Sequence, residues 1–271
     1  MPLLSANLNI MEKACKKASK LLIRDFGEVE KLQVSKKGPG DFVTNSDKRT
    51  EKIIINELSL ARPDYSFLAE ESGSSGKNTE FRWIIDPIDG TTNFLHGIPY
   101  FAISIGLEKN KEIICGMIFN PITNEMFYAE KGKGAYLNNS RIRVSSRKNI
   151  DECVLLTGGP ILSYKNKEIF FKEYESVSRR VAATRKFGSS ALDLAYLASG
   201  RCDGVWERNL NYWDVAAVAG LSRLGVALLQ QRPHHHGCAL SSFAPAGAPH
   251  LEPFHRIAWL RAVRVCQHGR C

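Results

Sequence analysis

The chain comprises 271 residues, 44% hydrophobic and 24% charged, which is ample for one large domain or two fused sub-domains and excludes a disordered chain. Its formal net charge of +9 hints at nucleic acid, but six arginines and one glutamate in residues 218–271 supply +5 of it, and residues 1–217 are nearly balanced at 31 basic and 27 acidic side chains. Seven cysteines, odd in number and without a C-x-x-C pair, indicate neither a disulfide framework nor a zinc knuckle; with no leader-like start and no apolar run of spanning length, a cytoplasmic protein with reduced thiols and no membrane association is expected.

The first element is an amphipathic helix over 5–26, where Leu8, Met11, Ala14, Cys15, Ala18, Leu21 and Leu22 recur at helical spacing between solvated lysines. KKGPGDFVTNSD at 36–47 reads as loop and hairpin leading into a second helix through about Leu58. SFLAEESG at 66–73 is a short strand ending in acids. WIIDPIDGTTNF then sets a buried strand, Trp83–Ile85, against Asp86, which is expected to end it because Pro87 cannot donate to a ladder.

Gly90, Thr91 and Thr92 open the next helix, whose amino end attracts anions. Two aspartates beside an anion site repel that anion unless cations lie between, so a hard dication with a phosphate is one reading. A turn or helix cap built on Asp86 and Asp89 is the other. Residues 101–139 alternate with K-N, N-P and K-G-K-G turns and predict antiparallel hairpins; 164–181 and the serine-capped 187–200 predict helices. Strands mixed with helices without a regular βαβ rhythm predict a layered α+β architecture.

Four acid-bearing stretches remain: GDFVTNSD at 40–47, LAEES at 68–72, DPIDGTTNF at 86–94 and WERNLNYWD at 206–214. Singly, each has an ordinary explanation: Asp47 as a helix cap, Glu70 and Glu71 as loop charges, Glu207 as a solvated side chain, Asp214 as an N-cap. In this order and spacing they resemble the inositol monophosphatase family, most closely its bacterial SuhB-like branch, from the first helix through Ala217. DPIDGTTNF and the downstream W-D-x-A-A carry that resemblance.

The resemblance implies an α+β fold layered α-β-α-β-α, of sugar-phosphatase type. It implies lithium-sensitive, Mg²⁺-dependent hydrolysis of a phosphate monoester, foremost myo-inositol 1-phosphate, by a metal-activated water, with two or three ions. Glu70, Asp86 and the Ile88 carbonyl would hold one ion, and Asp86, Asp89 and Asp214 a second. Gly90 and Thr91 would meet the phosphate, and Thr91, oriented by Asp47, would position the water, so that Glu70, Thr91 and Asp47 are the catalytic candidates. Glu207 and Ser190 would contact the polyol. A homodimer is also implied. The alternatives are a related phosphatase for nucleotide 3′-phosphates, sugar bisphosphates or NADP, a non-catalytic antitermination factor bound to RNA polymerase or RNA, or an inactive product.

His96 reads as a packed or capping residue, FGSSA lacks the glycine of a nucleophile elbow, and GKGAYLNN lacks a Walker lysine. After Ala217 the composition changes: 218–271 holds no Lys, Asp or Asn, one Ile, and six of the seven histidines. Residues 1–217 are therefore expected to form a family-like domain of two fused sub-domains with its C-terminal part incomplete. Residues 218–271 are expected to be an atypical tail, from a shifted frame or a foreign segment.

Overall fold

A computed structural model describes residues 4–28, 34–38, 41–77, 79–159, 167–207, 210–222 and 260–261. Helix α1 (Ala6–Phe26) is capped by Ser5, whose hydroxyl accepts the Leu8 N–H, and it buries Leu8, Met11, Ala14, Cys15, Ala18 and Leu22 along one face, as its spacing predicts. Strands β1 (Val34–Gly38) and β2 (Asp41–Thr44) form an antiparallel hairpin. Helix α2 (Asn45–Ala61) follows at once, opened by a capping box between Thr44 and Asp47.

Strands β3 (Ser66–Ala69), β4 (Gly73–Ser75) and β5 (Phe81–Asp89), the short helix α3 (Thr91–Leu95), and strands β6 (Ala102–Lys109), β7 (Glu112–Asn120), β8 (Glu125–Glu130), β9 (Gly134–Leu137) and β10 (Ser140–Arg141) come next. Their eight strands form one sheet in the order β10-β9-β8-β7-β6-β5-β3-β4, antiparallel except for the β3/β5 pair. The hairpins expected over 101–139 are its β6-to-β9 run, which ends beside the β10 edge.

A second sheet follows from β11 (Val154–Thr157), helix α4 (Lys167–Ser178), β12 (Ala183–Arg185), helix α5 (Ser190–Ala198), β13 (Gly204–Trp206), helix α6 (Tyr212–Ser222) and β14 (Leu260–Arg261), in the order β12-β11-β13-β14. Its first three strands are mutually parallel, and β14 is antiparallel to β13. Residues 223–259 and 262–271, most of the expected tail, lie outside the described residues, as does the start of the helix expected over 164–181.

Three buried clusters define the layers. Residues of α1 and α2 pack with Trp83, Ile85, Ile103, Ile105 and Met117 on one face of the large sheet. Ile118, Phe127 and Ala129 on its other face pack with α5 and α6, which also meet Leu156 and Val205 of the second sheet. Cys153, Leu155 and Trp206 close the far side against Val177 of α4. The α+β, α-β-α-β-α layering thus follows from which face each strand buries, and a fully buried Leu, Ile or Phe contributes about 1.5–3 kcal/mol.

Two glycines set how closely α6 lies on the large sheet. A Cβ at Gly116 of β7 would stand 2.1 Å from the Ala217 carbonyl oxygen, and one at Gly106 of β6 would stand 3.2 Å from the Ala216 Cβ. The helix therefore rests on bare backbone.

The structure corrects one local expectation. Strand β5 does not end at Asp86: pairing with β6 resumes at Asp89, with Asp86 opposite Ser104 and Asp89 opposite Ala102. Three steps along β5 are matched by two along β6, the signature of a bulge with one extra residue, and the bulge absorbs Pro87, which has no N–H to give. Residues three apart in a regular strand face opposite ways. The extra residue returns Asp89 to the side that Asp86 faces.

Candidate metal and phosphate centre

Asp86 and Asp89 from the bulge meet Asp214 from the first turn of α6, with one carboxylate oxygen of each within 4.8 Å of the others. Asp86 is buried, and its Oδ1 accepts the Ile88 N–H at 3.0 Å. Burial raises its pKa well above the usual range, and the charges of Glu70, Asp89 and Asp214 add to the rise. Asp214 is raised for the same first reason, with Asp89 next; its Oδ2 accepts the Asn211 N–H at 2.6 Å. It therefore closes the amino end of α6 from inside the first turn rather than as the N-cap.

Glu70 follows β3, its N–H donating to the Ile85 carbonyl at 3.1 Å, and its carboxyl lies within hydrogen-bonding reach of Asp86. Four acids meet here, and every donor atom their side chains offer is oxygen. Unneutralised, such carboxylates keep protons; a hard dication is the natural replacement for those protons, so the donor set fits magnesium better than a metal that prefers nitrogen or sulfur.

Asp89 is fixed from the second sheet's side. Its Oδ2 accepts the Ala191 N–H at 2.7 Å and the hydroxyl of Ser189, which also caps α5. Burial pushes its pKa up to about 6 against the lowering effect of those donors. The sequence reading chose Ser190 for contact chemistry and missed Ser189; of two serines at a helix start, one caps, and nothing local says what else it touches.

Gly90 sits at φ 100°, the left-handed region, at the N-cap of α3, where no side chain supplies a cap. A Cβ there would come within 3.2 Å of the Gly188 and Tyr100 carbonyl oxygens. The Thr91 hydroxyl lies 3.0 Å from the Ile88 carbonyl oxygen and 3.2 Å from Asp47 Oδ1. Asp47 thus has both roles weighed for it. Its Oδ2 accepts the Thr44 N–H at 2.8 Å to cap α2, while Oδ1 faces Thr91. Burial pushes its pKa up to about 6.

Glu207, at the end of β13, accepts the Ser190 hydroxyl at 2.6 Å on Oε2 and lies against Gly158, where a Cβ would stand 3.0 Å from its Cδ. It is not the solvated side chain of the ordinary reading. Burial, then the charge of Asp193, pushes its pKa up to about 8. The structure thus gathers Glu70, Asp86, Ile88, Asp89, Gly90, Thr91, Asp47 and Asp214 into one centre and links Ser190 to Glu207 beside it. His96 is exposed, with Nδ1 2.7 Å from the Thr92 carbonyl, and caps α3.

Sequence reasoning missed Glu51, Tyr100 and Asp193. Glu51 is buried and accepts the N–H groups of Glu71 at 2.8 Å and Ser72 at 2.9 Å, which clamps the loop carrying Glu70. The Tyr100 hydroxyl donates to Asp193 Oδ1 at 2.7 Å. Among the described residues, no helix is long and apolar enough to cross a membrane.

A model of the inositol monophosphatase family matches residues 4–223. An inositol-1-monophosphatase of Rhizobium meliloti is 53% identical over 215 residues, covering 79% of this chain and 80% of its own. The Nus factor SuhB of Vibrio cholerae is 41% identical over 223 residues, covering 82% and 84%. Among solved structures, the extragenic suppressor protein SuhB of Bartonella henselae superposes with a TM-score of 0.80 at 49% identity, covering 83% of this chain and 87% of that one. The Thermotoga maritima inositol monophosphatase superposes at 0.75 with 36% identity, covering 83% and 85%. With the acids of both signature stretches meeting at one centre, this chain belongs to the inositol monophosphatase family.

Proposed function

We propose that the protein hydrolyses a phosphate monoester of a polyol, foremost myo-inositol 1-phosphate, to the polyol and phosphate in a Mg²⁺-dependent reaction. The observation that carries this reading is the convergence of Asp86, Asp89 and Asp214 beside Glu70, made possible by the bulge in β5.

In this reading Glu70, Asp86 and the Ile88 carbonyl hold one ion, and Asp86, Asp89 and Asp214 another. When bound, the ions supply a water of lowered pKa and charge neutralisation at the leaving oxygen. The chain's own groups do the rest. Gly90, left bare by its close approach to two carbonyls, lets the phosphate reach the backbone at the start of α3. The Thr91 hydroxyl, which has one proton and two acceptors facing it, is held in place by Asp47 and the Ile88 carbonyl and orients the attacking water through its lone pairs. Glu207, steadied by Ser190, accepts a hydroxyl of the polyol.

Release of phosphate from inositol 1-phosphate by the purified chain, dependent on Mg²⁺ and abolished by EDTA, is the expected result. Undiminished turnover in excess EDTA refutes the metal reading. The Nus-factor names of some relatives support the alternative of a partner role beside RNA polymerase. The relative named as an inositol-1-monophosphatase is the more identical of the two sequence relatives described, which favours catalysis. A cytoplasmic setting accords with the buried thiols of Cys15, Cys115 and Cys202. A homodimer enters the proposal from the family resemblance alone.

A further inference from the structure

Asp193 is fully buried on α5, four residues after the Ser189 cap, and its side chain lies close to that of Glu207. Its Oδ1 is satisfied by Tyr100, whose ring packs against Phe187 at 5.0 Å and edge-on to Tyr196 at 5.5 Å between centroids. Its Oδ2 is enclosed and, among the described residues, receives no donor. The Glu207 carboxyl lies within hydrogen-bonding reach of the Asp193 side chain. The Glu207 Oε2 is already taken by Ser190.

Two carboxyls in contact, Asp193 fully buried and Glu207 partly so, each supplied with one other donor, leave a gap that a single proton fills. With the proton between them, Tyr100 donates to Asp193, Asp193 shares its proton with Glu207, and Ser190 donates to Glu207. Every group in the row is then paired, and the Glu207 carboxyl has one orientation. A buried acid kept only for the charge preference of a helix amino end needs no such row, because that preference is worth about 0.3–1 kcal/mol and acts at the surface too.

We propose that Asp193, held by Tyr100, is a positioning residue that fixes the Glu207 carboxyl for the polyol hydroxyl and so sets the preference for polyol phosphates over phosphate esters lacking hydroxyls. The inference rests on the phosphatase reading above and assigns the source of its selectivity. An asparagine at 193 reproduces the row without a shared proton: its carbonyl accepts from Tyr100 and its amide donates to Glu207. Alanine removes both links.

The test compares the full chain with Asp193→Asn, Asp193→Ala and Tyr100→Phe, measuring KM and kcat on inositol 1-phosphate and on p-nitrophenyl phosphate in Mg²⁺, with folding checked by circular dichroism. The ratio of kcat/KM for the two esters is expected to stay within about twofold in Asp193→Asn, and to fall about tenfold in Asp193→Ala through KM for the polyol ester, the loss of one hydrogen bond to a charged group. Tyr100→Phe is expected to lower it about threefold in the same direction. If Asp193→Ala does not fold, Tyr100→Phe decides. Equal losses on both esters, or an unchanged ratio in the alanine or phenylalanine variant, overturn the inference while leaving the phosphatase reading intact. A wild-type chain that hydrolyses neither ester overturns both.

Discussion

Glu51 holds Glu71 by its backbone: the buried carboxylate of α2 accepts the Glu71 N–H at 2.8 Å and, on its other oxygen, the Ser72 N–H. Glu70, the acid beside Asp86, is the residue just before this clamp. Glu51→Gln retains one acceptor and turns an amide N–H toward a backbone N–H, so one buried donor loses its partner at a cost of about 1–3 kcal/mol. The expected outcome is a lower melting temperature together with a weaker apparent affinity for Mg²⁺ in activity titrations. An unchanged Mg²⁺ titration would show that the clamp holds the loop without holding Glu70.

Asp89→Asn separates the metal role from the structural one. A carbonyl oxygen in place of Oδ2 still accepts from Ser189 and Ala191, while a charge leaves a crowded acidic site. Turnover should fall at least about a hundredfold, with the metal-free melting temperature equal or higher. Activity near wild type would mean that Asp89 is a turn residue.

The pH dependence of stability has a definite sign. Asp47 and Asp89 are pushed up to about 6, Asp193 to about 7 and Glu207 to about 8, and Asp86 and Asp214 are raised as well. The native chain without metal therefore binds more protons than the unfolded one, and its stability falls as pH rises from the ordinary carboxylate range through those values. Cations take the place of the protons. The rise in melting temperature on adding Mg²⁺ should thus be larger at pH 8 than at pH 5, and thermal melts at both settle it; a rise that shrinks with pH contradicts the assignment.

Gly116→Ala tests how α6 places Asp214. A Cβ there meets backbone rather than a side-chain end, so the helix must move or the strand must bend, at about 1–3 kcal/mol or more. Gly106→Ala, with 3.2 Å to its neighbour, should be milder. The expected result for Gly116→Ala is reduced stability and a raised Mg²⁺ requirement in the chains that fold. A variant with wild-type melting and Mg²⁺ dependence would show that Asp214 is placed by something other than this contact.

The atypical composition of 218–271 motivates a last measurement. We expect a chain ending after Ser222 to melt no lower than the full chain, since a two-residue pairing such as β14 with β13 contributes little by itself. Limited proteolysis that cuts the tail no faster than residues 83–128 would show that it belongs to the packed domain.

Much of the centre was legible because its acids sit in short stretches whose order is distinctive, and α1 because burial repeats at helical spacing. The bulge was not. Whether Asp86 and Asp89 share a face depends on β6, whose pairing no residue in DPIDG encodes. Asp193 and Tyr100 are 93 positions apart, and Glu51 lies 20 from Glu71, so no local pattern marks either contact. Asp214 was readable as an acid at a helix start, but its distance from Asp86 is set by two glycines in strands that look ordinary in sequence.

Asn93 gives both hydrogens of its side-chain amide to carbonyls distant from each other in the chain, Tyr100 before β6 and Phe187 before α5, each at 2.7 Å. With Asp89 tied to the start of α5, the acidic centre lies on the seam where the two sheets are sewn together. Its three carboxylates have no common address in a half-assembled chain. An ion that discriminates by geometry would find its place only after both halves have met, so loading the site doubles as an inspection of the finished fold.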